Sequence, residues 1–128
     1  MMELEMFPEE LRKQAVEIGH VLKMDMYPSK EEDKLIAALL INSHINPNLF
    51  NRIGPYQHEI SKDRYDFLDH TSYIDGYSIR EFDVQRVLYY AKYLGSIEPD
   101  DLQEAINHVC DSPDVKPYIL KKYHLKKR

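Results

Sequence analysis

The sequence predicts an all-α fold: a compact single-domain bundle of five or six helices with short connections, broken by one irregular segment around 55–77. Three observations predict it. Through 78–94, Ile79, Val84, Val87, Leu88, Tyr90, Ala91 and Leu94 share one half of a wheel drawn at ~100° per residue. Ser-x-x-Glu capping boxes, in which hydroxyl and carboxylate satisfy each other's free backbone N–H groups, stand at Ser29/Glu32 and Ser78/Glu81. Proline followed by acids, which suits a first helical turn, occurs at Pro8-Glu9-Glu10 and Pro99-Asp100-Asp101.

The first helix is expected from Pro8 to about Met24, with Leu11, Ala15, Ile18 and Leu22 on one stripe, and Tyr27-Pro28 stops it. The second starts at Ser29. Its run Leu35-Ile36-Ala37-Ala38-Leu39-Leu40-Ile41 is apolar on all sides, as a helix surrounded by others would be, until Asn46-Pro47 ends it. A short helical turn is expected through Leu49, Phe50 and Ile53, closed by Gly54-Pro55.

Residues 55–60 read as extended or loop, and Ser61 heads a short helix burying Tyr65 and Leu68. A loop follows, in which Asp75-Gly76 could instead turn a small hairpin. Next comes the 78–94 helix, ended by Gly95 in a left-handed cap. A helix that starts at Ile97-Glu98-Pro99-Asp100-Asp101 and ends at Asp111-Ser112-Pro113 presents Leu102, Ala105, Ile106 and Val109 and forms an antiparallel pair with the helix before it. The last helix starts near Pro117 and runs into a basic tail at 121–128.

Composition narrows the class. With 43% apolar and 30% charged residues in 128, the chain suits a folded domain that buries its own core. One cysteine, Cys110, permits no internal disulfide and suits a reducing compartment; with no long apolar run and an acidic start, the expectation is a cytoplasmic protein without a membrane partner. Residues 1–120 hold 12 bases against 22 acids, a net of −10, and the last eight residues carry +5. Such a body repels nucleic-acid phosphates and favours a basic protein partner.

The polar groups that could do chemistry cluster at 58–76. His58, Asp66, Asp69 and His70 could serve a metal-dependent hydrolase, although no metal-ligand spacing motif joins them. No phosphate-cradling glycine loop is present, and no cofactor is expected. The tail Lys121-Lys122-Tyr123-His124-Leu125-Lys126-Lys127-Arg128 offers a second alternative, nucleic-acid binding, against simple docking on the acidic body.

Ten tyrosines and no tryptophan, with six tyrosines between 56 and 90, point to an interface, where a rigid ring with a wet hydroxyl is favoured. The leading expectation is therefore a non-enzymatic helical interaction module of the inhibitor, immunity, antitoxin or adaptor type. Asp63, Asp66, Asp69 and Asp75 would steer a basic partner. Tyr73, Tyr77 and the stripe Phe82, Tyr89 and Tyr93, with Arg86 among them, would anchor it. A homodimer through the same stripe is the alternative occupant.

Overall fold

The computed structural model describes residues 20–23, 35–83 and 92–128. Seven strands and three helices occur there, so the all-α bundle is overturned: the chain mixes α and β structure. The strands are β1 (His20–Lys23), β2 (Leu35–Ala38), β3 (Ile41–Asn42), β4 (Gln57–Ile60), β5 (Ser72–Asp75), β6 (Arg80–Asp83) and β7 (Lys92–Ser96). The helices are α1 (Phe50–Ile53), α2 (Pro99–Asp111) and α3 (Pro117–Lys122).

The chain divides into two compact units: 1–38 with 80–98, and 39–79 with 99–128. In the first, β1 pairs antiparallel with β7, Leu22 opposite Tyr93, and the register shifts between Val21 and Leu22. β2 pairs antiparallel with β6, Leu35 opposite Asp83 and Ala38 opposite Arg80. Leu35, Phe82 and Ile97 are buried.

Three expected helices give way here. His20–Lys23 of the first is strand, and its remainder lies outside the described residues. Of the second, 35–38 and 41–42 are strands, while Ser29/Glu32 is outside the described residues. Of the 78–94 helix, 80–83 and 92–94 are strand and 84–91 is outside. The physical reason is that short apolar runs fit helical and strand periods alike, and tertiary pairing then decides. Leu35-Ile36-Ala37-Ala38 finds its backbone partners in Arg80-Glu81-Phe82-Asp83.

The second unit is a three-stranded antiparallel sheet, ordered β3-β5-β4, with α2 packed against β4. His58 stands opposite Ile74, and Ile60 opposite Ser72, so these four share a sheet face. Ile60, Ser72 and Ile74 are buried, as are Ala105 and Val109 of α2. The expected helix at 99–111 is therefore present, with Asp100 and Asp101 in its first turn, and the Pro117 helix is present too. The helical turn near Phe50 is α1, preceded by a 3-10 turn that Asn46 caps by accepting from the Asn48 N–H at 3.0 Å.

Gly76 shows how closely strand end and helix meet. Its N–H donates to the Tyr56 carbonyl at 2.9 Å. A Cβ there would stand 2.8 Å from that oxygen, 2.8 Å from His108 Cβ and 3.2 Å from the Ala105 carbonyl. Only glycine fits.

Candidate functional site

Residues 61–70 form consecutive turns where a short helix was expected, and they join β4 to β5. Tyr65 is buried, as foreseen, while Leu68 is half-buried. The turn owes its placement to Asp101, a carboxylate in the first turn of α2 with 10% of its side chain exposed. Asp101 accepts from the Tyr65 hydroxyl. It also accepts from Arg64 Nη1 at 2.9 Å and from His58 Nε2 at 2.7 Å. Three donors on one carboxylate, two from the turn and one from β4, take up three of its roughly four acceptor sites, and the helix dipole favours a negative charge at that end.

Arg64 also forks onto Asp100, Nη2 to Oδ1 at 3.1 Å and Nη1 to Oδ2 at 3.2 Å. This pair holds the Asp100 carboxyl below its ordinary range and the guanidinium above its own. The positive charge of Arg64 is thus answered by α2. Asp63, Asp66 and Asp69 are exposed, and no hydrogen bond or ion pair engages their carboxylates among the described residues. Lys62, also exposed, is the other basic residue beside Asp63.

The other expected contact residues are dispersed. Tyr73 is half-buried on β5, opposite Glu59. Asp75 is occupied within its own unit: Oδ1 accepts from Gln57 Nε2 at 2.9 Å and from the Tyr77 N–H at 2.8 Å. Tyr77 lies against the Tyr56 ring, centroids 5.6 Å apart, with the Arg52 guanidinium 5.9 Å above it. Phe82 is buried on β6 and Tyr93 belongs to β7, so they do not line one helical face. Arg86 and Tyr89 are outside the described residues. Ser78, read as a helix cap, instead donates to Asp114 Oδ2 at 2.7 Å.

Of the hydrolase set, His58 is turned onto Asp101, and Asp66, Asp69 and His70 are exposed on the turn. No group of three or more His, Cys, Asp or Glu side chains among the described residues is arranged to hold a metal ion. A cleft of about 350 Å³ is bordered by Asn42, His44, Leu49, Gln57 and Asp75, among others. No described helix is long and apolar enough to cross a membrane.

The basic tail docks on α2. Tyr123 is buried, the Leu125 N–H donates to the Leu120 carbonyl at 2.9 Å, and Lys127 pairs with Asp111 at 2.8 Å. Sequence reasoning missed Asp101, His58, Arg64 and Tyr65 as a set, because nothing local marks residues that meet from three elements. It also missed Gln103, Asn107 and Asp111, although a four-residue polar spacing on a helix is a readable signal. Compared with known proteins, the chain matches no family model, no curated protein and no solved structure.

Proposed function

We propose that the chain is a non-enzymatic protein-interaction module that receives a basic protein partner on the acidic turn 61–70. One observation carries the reading. Asp63, Asp66 and Asp69 are exposed and unengaged among the described residues, while the arginine between them is neutralised by Asp100 and Asp101. A turn anchored by a buried carboxylate presents its charges with little ordering cost, which favours association. The net −10 of residues 1–120 adds long-range attraction for a cationic surface. The mechanism is steric occlusion of the partner after electrostatic steering.

The test is capture from native extract on immobilised protein, with eluates identified by mass spectrometry. It is run beside the triple variant Asp63→Asn/Asp66→Asn/Asp69→Asn. A basic partner retained by the parent and lost by the folded variant is expected. Its association rate should fall with rising salt and drop roughly tenfold in the variant. Retention by the variant with the same salt dependence would reject this surface.

A further inference from the structure

Asn107 on α2 grips both main-chain groups of a single residue. Its Nδ2 donates to the Arg128 carbonyl at 2.9 Å, and its Oδ1 accepts from the Arg128 N–H at 2.9 Å. One turn earlier, Gln103 Nε2 donates to the Lys126 carbonyl at 3.0 Å and to Asn107 Oδ1 at 2.8 Å, which orients the Asn107 amide. One turn later, both oxygens of Asp111 accept from Lys127 Nζ, at 2.9 and 2.8 Å. Residues four apart share a helix face, so the three side chains form one row.

The contacts made by this row are those of a peptide receptor. Four of them read the main chain, or orient the side chain that does, and every extended segment offers the same N–H and C=O groups. The one side chain that is read is an ammonium. The tail also changes character at Lys126. Up to Leu125 it is held by buried Tyr123 and by bonds to α3, after a turn at His124, whose φ is 56°. From Lys126 on, residues are exposed and the contacts lie at the surface. Surface bonds of this kind exchange readily with competing partners.

We propose that the Gln103–Asn107–Asp111 row is a binding surface for an extended basic segment of another protein, with Lys126–Arg128 as its displaceable occupant in cis. The ligand class is a short peptide with lysine or arginine immediately before the residue whose main chain Asn107 clamps. A tethered occupant competes at high effective concentration, so a foreign segment gains access when the tail is withdrawn. The surface is separate from the 61–70 turn and stands or falls without it.

The probe is a fluorescein-labelled peptide of residues 123–128, titrated by anisotropy. The full chain should bind it weakly, and a variant lacking Lys126–Arg128 at least about tenfold more tightly. Asn107→Ala in that shortened background should return binding to the weak level. Lys127→Glu in the full-length chain, which removes no residue, should tighten peptide binding in the same direction as the deletion. A peptide carrying glutamate in place of Lys127 should not bind. Unchanged affinity in both the deletion and Lys127→Glu would overturn the proposal, as would insensitivity of the shortened variant to Asn107→Ala. A full-length chain that dimerises by exchanging tails would overturn the assignment in cis.

Discussion

Both polar segments that the sequence left loose, the acidic turn and the basic tail, are tied to the same helix at different points. At the start of α2, Asp101 is itself nearly dry and takes three donors, of which Tyr65 is buried and Arg64 reaches in from the surface. Along the rest of the helix, Gln103, Asn107 and Asp111 hold the tail through contacts exposed to water. The inventory of hydrogen bonds is similar and the surroundings are not. A buried acceptor whose donors lose it leaves them desolvated and unpaired, whereas water replaces a surface acceptor at little cost. The helix therefore carries one fixed anchor and one releasable one, and substitutions along it should separate the two.

The largest effect is expected at the buried anchor. Asp101→Ala strips the acceptor from the buried Tyr65 hydroxyl and from His58, while exposed Arg64 keeps Asp100, and should cost about 3 kcal/mol in denaturant unfolding. Asp101→Asn, which keeps the shape and one acceptor oxygen, should cost roughly half as much. A loss below about 1 kcal/mol for the alanine variant would mean that water enters the site, and the contrast between the two anchors would collapse.

Where it meets Ala105 and His108, Gly76→Ala tests how closely the end of β5 and α2 are joined. The new Cβ meets the backbone oxygen of Tyr56, which cannot swing aside, so a cost of about 2 kcal/mol is expected. Gly54→Ala is the control. There the nearest atoms belong to the Phe50 ring at 3.3 Å, and Phe50 is 56% exposed and free to move. Comparable costs at both glycines would remove the close-approach argument.

These stations also show what the sequence could and could not disclose. α2 and α3 were legible because their signals are local: proline and acids at Pro99-Asp100-Asp101, a stripe through Ala105 and Val109, and proline again at Pro117. The strands were not. Phe82 sits equally well on a helical wheel and in an alternating strand. What decides it is Ile36, its register partner far back in the chain, which no local pattern reveals. Ser78 satisfied the rule for a helix cap, yet its hydroxyl is taken by Asp114 from the loop beyond α2. Of the candidate site, the exposed Asp63, Asp66 and Asp69 were legible as a polar loop, but the carboxylate that fixes the loop was not. Asp101 reads in sequence as one more helix-start acid.

At the exposed anchor, Asn107→Ala should leave the unfolding free energy within about 1 kcal/mol of the parent. It should nevertheless abolish hydrogen-exchange protection of the Arg128 amide, which Asn107 alone among the described residues accepts from. Lasting protection in the variant would show that the tail is held by something other than this row.

The smallest effects concern charge, and they run in opposite directions with pH. The Arg64 fork holds Asp100 below its ordinary range, so its contribution is present above the unfolded aspartate pKa and lost as pH falls through the lower folded value. The Asp111 carboxylate raises Lys127, whose contribution is complete below the unfolded lysine pKa and disappears as pH rises through the higher folded value. Acid should therefore loosen the start of α2 first, and alkali the tail. Both groups are exposed, so added salt should shrink both shifts. Carbon-13 titration of the Asp100 carboxyl and the Lys127 side chain would measure them, with Arg64→Gln and Asp111→Asn moving each midpoint toward its ordinary value. A Lys127 midpoint already at that value in the parent would put its ammonium in solvent, leaving the tail on Gln103 and Asn107 alone and the proposed preference for a basic peptide without its cause.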